Sequence, residues 1–387
     1  MKKVGVFLGD HFWSSAPYDG LNLYHKLSSQ FETDLIVFKD DIRINKQFDG
    51  SEKYFFHKHE FFVENLKVIK DWAEIKRLSS DYSLIICQTK IAPKTRFPFD
   101  YNTRQKPLNC PIAVWDVGGC DILHDSPRFA DYFFVKGPIW KEWMHKMGFS
   151  EDKVFTTGSP HYDYFFDSSD NVVGSALSKE QFLKKYSLQD TTQKIVLMPT
   201  NPASHKEQFE DNFRQLDKIV DLSHKNNVQL LVKTYPHDYV FGEKEGPYTG
   251  IYKRKYANKP QYQVISDRYP SIKVVDSQDH HSCLMHVDKV FNMAGSHVAW
   301  ETFYTRSTSY AMGYKDKKYY KQIPVLKHFE FIEFPDDIMN IDMEQLSDIV
   351  YRHDESKKRL CEKYFLNESS MSNICNSVEK ILVTNDK

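Results

Sequence analysis

Residues 288–301 show the pattern that most clearly indicates chemistry. A short apolar run is followed there by the small turn Ala-Gly-Ser and then by helical spacing from His297 to Thr305. The backbone N–H groups at such a helix start attract a phosphate, so we expect an anion site at Ser296. Glu301 lies more than one helical turn further on, where it would accept hydrogen bonds from ribose hydroxyls. The alternative is a helix that Ser296 caps, with a solvated Glu301.

Three earlier segments also place polar residues directly after a predicted strand, near residues 158, 200 and 233. In open α/β sheets, ligands bind outside the carboxyl ends of the strands. We therefore expect polar residues from these strand ends to line one crevice. Those residues are Thr200, Lys233, His237 and Ser296.

The order of these motifs resembles that of the GT-B glycosyltransferases, particularly the bacterial surface-polysaccharide and CDP-glycerol glycerophosphotransferase-like branch. The resemblance is carried by Gly-Ser-Pro-His-Tyr-Asp at 158–163, by Lys-Thr-Tyr-Pro-His at 233–237, and by Gly-Ser with a following glutamate at 295–301. It covers about half of the chain, and the order of the motifs is its specific part. It implies a site for a nucleotide-sugar donor that also includes Gly158.

Two departures from this branch affect the predicted phosphate contacts. The branch usually shows Lys-x-His-Pro, whereas Pro236 precedes His237 here, and it usually shows Ser-Ser where this chain has Gly295 and a single serine. His297 is therefore a second candidate, beside His237, for contact with the diphosphate. Lys233, a histidine and a helix start would neutralise the leaving diphosphate without a divalent ion.

The 16 histidines and six cysteines invite a metal assignment, but none of them shows ligand spacing. The cysteines form no C-x-x-C pair, and His161, His280 and His281 have no Cys or acidic partner at such spacing. Histidines of this kind are mostly surface or satisfied core groups. We expect no metal site and no cofactor, with the nucleotide sugar bound as a substrate.

The first predicted strand ends in the polar and aromatic segment 9–20, where this fold class places ligand contacts. An inverting sugar transfer needs a base that removes the proton of the acceptor hydroxyl. Asp19 is the first candidate for that base and His11 the second, with Asp10 as an acceptor contact. The alternative is a loop in which Asp10 and Asp19 cap turns and the following helix.

Three other segments bear on the acceptor. A polar segment after the second predicted strand provides Arg43 and Lys46 as acceptor contacts, while residues 239–263 and 315–321 mix lysines with tyrosines. Basic residues among aromatics suit a phosphate-bearing polymer, and a solvated surface is the alternative. The net charge of −1 gives no long-range attraction to a polyanion. We therefore expect a glycan or lipid-linked acceptor, with DNA that carries hydroxymethylated pyrimidines as the alternative.

The elements that must position these residues alternate between strand and helix, which favours parallel, doubly wound sheets. A chain of 387 residues is expected to form two domains. We predict an acceptor-binding domain over residues 1–166 and a nucleotide-sugar-binding domain over 180–365. By the resemblance, a last helix in 366–387 crosses back to the first domain, and the fold is α/β with two Rossmann-like domains facing a cleft (GT-B). A helix is also expected over residues 60–79.

The sequence thus predicts a metal-independent GT-B glycosyltransferase that moves a sugar to a hydroxyl acceptor. One alternative is a non-hydrolysing UDP-sugar 2-epimerase, and a second is a protein that binds a nucleotide sugar without turnover. No apolar run approaches the roughly 20 residues that span a bilayer, and the start of the chain lacks the pattern of a signal peptide. We expect a cytoplasmic protein whose contact with a membrane, if any, is peripheral.

Overall fold

The computed structural model places a defined part of the chain in two compact units. Unit 1 comprises Met1–Ser175 and Leu360–Lys387, and unit 2 comprises Ala176–Arg359. The described residues are 2–8, 16–39, 42–46, 52–56, 59–61, 63–88, 108–115, 130–165, 176–189, 195–199, 206–233, 261–275, 279–293, 298–302, 305, 307–312, 332–333, 366 and 368–384.

Both units contain strands and helices. The strands are β1 (Lys3–Leu8), β2 (Glu32–Phe38), β3 (Ile42–Lys46), β4 (Glu52–Phe56), β5 (His59–Phe61), β6 (Leu66–Ile69), β7 (Leu84–Gln88), β8 (Ile112–Trp115), β9 (Tyr132–Val135), β10 (Val154–Thr156), β11 (Ile195–Pro199), β12 (Gln229–Lys233), β13 (Lys273–Val275), β14 (Lys289–Met293), β15 (Thr308–Met312) and β16 (Ile332–Glu333). The helices are α1 (Ala16–Ser28), α2 (Trp72–Leu78), α3 (Pro138–Lys146), α4 (Pro160–Asp163), α5 (Lys179–Lys185), α6 (Lys206–Lys225), α7 (Gln261–Arg268), α8 (His280–His286), α9 (Val298–Glu301) and α10 (Ser370–Thr384).

Unit 1 contains a seven-stranded parallel sheet with the order β10-β9-β8-β7-β1-β2-β6. Its central strand β1 is almost wholly apolar and buried, as expected for a strand that is covered on both faces. The chain runs outward from β1 through β2 and β6 and then returns to place β7 on the other side of β1. The topological switch point, where such sheets bind ligands, therefore lies between β1 and β7.

Helices α1 and α10 share the main core of unit 1 with the sheet. Leu21 and Leu27 of α1 and Ile374 and Val378 of α10 are buried in one cluster with residues of β1, β2 and β7. The last helix of the chain therefore belongs to the first unit, although the whole of unit 2 precedes it in sequence.

Unit 2 contains a six-stranded parallel sheet with the order β13-β12-β11-β14-β15-β16. Helix α6 packs its apolar face, including Leu216 and Ile219, against Val196 and Phe291 of the sheet. The chain moves outward from β11 through β12 and β13 and returns to place β14 on the other side of β11. The switch point of this sheet lies between β11 and β14.

The α/β class and the two parallel sheets confirm the fold class predicted from the sequence. The prediction of one helix over residues 60–79 was wrong, because the chain there forms the end of β5, then β6 and finally α2. β6 pairs with β2 and extends the sheet, so strand pairing outweighs the helical spacing of its apolar residues. Every helix in the described ranges is too short or too polar to cross a lipid bilayer.

Candidate active site

Asp19 lies in the first turn of α1 and is fully buried. The sequence suggested a loop up to Gly20, but the helix starts at Ala16, because Pro17 is well tolerated in a first helical turn. The close approach of α1 to the sheet requires Gly20, since a Cβ there would lie 2.1 Å from Leu8 Cδ2. Asp19 is therefore held rigidly against the carboxyl end of β1.

A buried hydrogen bond joins Asp19 to His161, whose Nδ1 lies 3.2 Å from Asp19 Oδ2. His161 belongs to α4, the short helix that follows β10, and it is nearly as buried as the aspartate. Asn22, one turn after Asp19 on α1, donates a hydrogen bond of 2.8 Å to the hydroxyl of Tyr164. These two contacts fix the position of α1 relative to the end of α4. Spacing along the chain could not reveal this pair, since 142 residues separate its members.

The turn before α4 depends on Gly158, which the sequence suggested as a donor contact. Its φ of +83° is a conformation that favours glycine, and a Cβ there would lie 3.0 Å from Ser370 Cβ. The N–H groups of Thr157 and Gly158 donate to the carbonyl of Val135 at the end of β9. Gly158 lies in unit 1 and has a clear role in packing there, and its contact with a donor stays a prediction.

Asp163, the last residue of α4, caps the start of α10. Its carboxylate accepts hydrogen bonds from the Ser370 amide at 3.0 Å, the Ser370 hydroxyl at 2.8 Å and the Met371 amide at 3.2 Å. Burial raises the pKa of Asp163 to about 7, and the charge of Asp19 adds to this, although the hydrogen bonds oppose it. The motif Gly-Ser-Pro-His-Tyr-Asp therefore provides both a partner for Asp19 and an anchor for the last helix.

A buried cation completes this part of unit 1. Lys136 directly follows β9 and is fully buried, and its Nζ lies 5.6 Å from the ring centroids of both Trp140 and Tyr162. Tyr162 is the residue after His161, so Lys136 contacts the same short helix that holds the histidine.

In unit 2, Lys233 is the last residue of β12 and is buried. The register places it beside Pro199 of β11 and Val275 of β13, so three strands end at the same level. Burial lowers the pKa of Lys233, and the negative charge of Glu301 partly offsets this effect. The structure thus brings together two residues that sequence motifs had suggested separately for the donor.

Glu301 is buried at the end of α9, where its Oε2 lies 2.5 Å from Nε2 of His280. His280 opens α8, the helix after β13, whereas α9 follows β14. No acidic residue lies at metal-ligand spacing from His280 in the sequence, but folding places Glu301 beside it, because the carboxyl ends of β13 and β14 lie at one edge of the sheet.

Several contacts fix α8 and therefore His280. Asp279, at the start of the helix, accepts a hydrogen bond from Tyr186 and forms an ion pair of 2.5 Å with Lys185. The amide of Leu177 donates a hydrogen bond to the hydroxyl of Ser282 in the same helix, and the carbonyl of Leu177 is hydrogen-bonded to Nε2 of His286.

The connection that carries Glu301 is tied to α8 as well. The hydroxyl of Ser307, just before β15, contacts the carbonyls of Leu284 at 3.1 Å and Val287 at 2.9 Å. The pair of Glu301 and His280 is therefore supported on both sides.

Other predicted site residues lie outside what the structure describes. Arg43 and Lys46 belong to β3, in an antiparallel sheet with β4 and β5, but the description covers only their backbone. The remaining predicted contacts, and both basic segments proposed for the acceptor apart from residues 261–263 at the start of α7, fall in ranges that are not described. Those contacts are Asp10, His11, Thr200, His237, Ser296 and His297.

Three solved structures are similar to the whole chain. The wall teichoic acid polymerase TagF has a TM-score of 0.60 at 12% identity, over 100% of this chain and 90% of that chain. The UDP-GlcNAc 2-epimerase from Methanocaldococcus jannaschii, in complex with UDP-GlcNAc and UDP, has a TM-score of 0.57 at 11% identity, over 98% of this chain and 99% of that chain. The epimerase from Neisseria meningitidis, bound to UDP-GlcNAc, has a TM-score of 0.56 at 10% identity, over 100% of both chains.

The chain therefore has the GT-B fold. No protein-family model and no curated protein sequence matches it. At identities of 10% to 12%, the GT-B likeness establishes the arrangement of strands and helices and not the reaction.

Proposed function

We propose that this GT-B protein is a glycosyltransferase that moves a sugar from a nucleotide-activated donor to a hydroxyl acceptor. The observation that carries the proposal is the burial of Lys233, at the end of β12, and of Glu301, at the end of α9, both at the carboxyl edge of the unit 2 sheet. A buried ammonium at a strand end suits the diphosphate of a donor, and a fixed carboxylate suits the hydroxyls of a ribose. Two of the similar structures contain UDP-GlcNAc, which fits this assignment.

In this proposal Lys233 stabilises the negative charge that develops on the leaving diphosphate. A cation that is already desolvated needs little reorganisation during the reaction, so its effect is larger than it would be in water. Lys233 thereby does the work that a divalent ion does in other transferases. Turnover should therefore persist in EDTA.

A thermal-shift screen tests donor binding with UDP-GlcNAc, GDP-mannose, CDP-glycerol and CMP-N-acetylneuraminate as probes. A ligand that binds only the folded protein raises the free energy of unfolding, by about 2.7 kcal/mol at 100 times its Kd. The melting temperature rises as a result. We expect one nucleotide class to give a shift that Lys233→Ala removes and that Lys225→Ala, a change of an exposed lysine in the same unit, preserves. The absence of a shift with every probe would contradict the proposal.

The similar epimerases favour a second candidate function, the isomerisation of a UDP-sugar. An epimerase converts UDP-GlcNAc without any acceptor, whereas a transferase releases the nucleotide and needs an acceptor or water. Proton NMR of UDP-GlcNAc incubated with the protein distinguishes the two. A 2-epimer that accumulates while the nucleotide stays attached would identify the epimerase, and release of UDP supports the transferase.

A further inference from the structure

We propose that His161 is the general base of the transfer and that Asp19 positions it, an inference that rests on the proposed function. The sequence had suggested Asp19 itself as the base. The structure points to the histidine, because the aspartate is fully buried and its Oδ2 already lies 3.2 Å from His161 Nδ1.

The hydrogen bond between the two residues selects the tautomer of the imidazole. An ionised carboxylate only accepts hydrogen bonds, so Nδ1 of His161 carries the proton that faces Asp19. The lone pair of the neutral ring is then on Nε2, and this is the atom that would take a proton from a hydroxyl. A carboxylate also stabilises the imidazolium that forms, which is how an aspartate assists a histidine base in other enzymes.

The position of the pair in the sheet supports a catalytic role. Asp19 is held by the helix that follows β1, and β1 borders the switch point of unit 1. His161 is held by the helix that follows β10, so it also lies at the carboxyl end of the sheet. Side chains at this edge of a doubly wound sheet contact ligands.

The pair is built rigidly, as a base must be if it is to meet its substrate at a fixed distance. Gly20 allows α1 to approach Leu8 closely, and the bond from Asn22 to Tyr164 joins α1 to the residue after α4. Asp163, two residues after His161, anchors α4 to the start of α10.

Two further charged groups of unit 1 interact with the pair or with its chain neighbours. Asp163 interacts electrostatically with Asp19, and Lys136 lies over the ring of Tyr162, the neighbour of His161. Asp19 is in hydrogen-bond contact with the imidazole, so loss of its charge should change the basicity of His161.

The proposed step moves one proton and exchanges one bond. The acceptor oxygen attacks the anomeric carbon while its proton passes to Nε2 of His161. The bond from that carbon to the diphosphate breaks, and the nucleoside diphosphate leaves with the electron pair. The imidazolium then returns its proton to water.

The experiment compares His161→Asn with the wild type, using release of UDP from UDP-GlcNAc and of GDP from GDP-mannose with water as the acceptor. Asn keeps an N–H near the position of Nδ1, so the contact with Asp19 is retained while the base is lost. We expect turnover to fall roughly a hundredfold or more, as for loss of a general base, while the donor affinity measured by calorimetry stays within about twofold. His25→Asn is the control, because His25 lies on the same helix as Asp19, and it should leave turnover unchanged.

Asp19→Asn provides a readout that a purely structural role would not change. Loss of the carboxylate charge lowers the pKa of His161, so the acid limb of the pH profile of kcat should move to lower pH. An unmoved acid limb, or full turnover in His161→Asn, would overturn the role of His161 while donor binding still supports the proposed function. If the wild type neither binds nor cleaves any probe, the proposed function fails and this inference fails with it.

Discussion

His280 and Glu301 form a buried hydrogen bond of 2.5 Å, although 21 residues separate them in the chain. Each residue belongs to a helix that follows a different strand of the unit 2 sheet. Because α8 is fixed by Asp279 and by Leu177, His280 in turn restricts the carboxylate of Glu301 to one orientation. The precision of the proposed ribose contact therefore depends on a histidine that need not contact the donor.

His280→Gln should weaken binding of the donor nucleotide about tenfold, because a carboxylate without a fixed partner loses its orientation. Calorimetry with the nucleotide that gives the largest thermal shift measures this change. His224→Gln, which changes an exposed histidine of the same unit, should leave the affinity unaltered. Equal affinities for His280→Gln and the wild type would mean that Glu301 does not need this partner.

Glu301→Gln should raise KM about tenfold and leave kcat within about threefold, because ribose contacts are similar in the ground state and the transition state. Steady-state release of the nucleotide provides both constants. A large loss of kcat at unchanged KM would instead assign Glu301 to the chemical step.

Lys233→Ala should lower turnover by a factor on the order of a hundred or more, since it removes a charge directed at the developing anion. In the wild type, burial lowers the pKa of Lys233, so its ammonium is lost at a lower pH than that of an ordinary lysine. As the pH is raised, nucleotide affinity should therefore begin to fall at a pH below the range in which an ordinary lysine titrates, and Lys233→Arg should abolish this fall. An affinity that is independent of pH up to 10.5, the ordinary lysine value, would exclude a buried ammonium at the phosphate.

Gly158→Ala should destabilise unit 1 by about 2 kcal/mol, through backbone strain at positive φ and crowding against Ser370. Gly148→Ala is a matched control, because its φ is +91° but no atom lies within 4 Å of the added Cβ. The control should cost about 1 kcal/mol, the cost of strain alone. Denaturant titration measures both values, and equal losses would show that the contact with Ser370 is unimportant.

Asp163 should make stability depend on pH with a defined sign. Its pKa rises from an ordinary 3.8 to about 7 on folding, so its contribution is complete below pH 3.8 and is lost as the pH rises through 7. The wild type should therefore lose stability relative to Asp163→Asn over this interval.

For Asp152→Asn, the stability of the wild type relative to the variant should increase as the pH rises. This sign is opposite to that of Asp163, since a hydrogen bond with Ser150 lowers the pKa of the exposed Asp152. Denaturant titrations between pH 4 and 8 test Asp163→Asn, whereas titrations from pH 4 downward test Asp152→Asn, because the effect of Asp152 lies below its ordinary pKa of 3.8. If the difference in the free energy of unfolding between the wild type and Asp163→Asn does not vary with pH, the pKa of Asp163 is not raised.

The central strands of both sheets could be predicted from the sequence, because strands covered on both faces are continuous apolar runs. The expected strand over residues 289–293 coincides with β14, and Lys233 was expected at the end of its strand, where it lies in the structure. The motifs also suggested Lys233 and Glu301 for one site; both residues are buried at the carboxyl edge of the unit 2 sheet, and their role in binding a donor stays a prediction.

The pairs that complete the candidate sites could not be predicted, because pairing between distant residues leaves no local pattern. His161 and His280 resemble ordinary core histidines until the fold places Asp19 and Glu301 beside them. The prediction of one helix over residues 60–79 was wrong for a different reason. Apolar spacing cannot distinguish a short edge strand followed by a helix from a longer helix.

The most direct test of donor binding in unit 2 is calorimetric titration of UDP, GDP, CDP and CMP into the wild type, Lys233→Ala and Lys225→Ala. We predict that one nucleotide binds the wild type and Lys225→Ala equally well. It should bind Lys233→Ala at least tenfold more weakly, which corresponds to about 1.4 kcal/mol. Equal affinity of all three proteins for that nucleotide, or no binding of any nucleotide to the wild type, would contradict donor binding at Lys233.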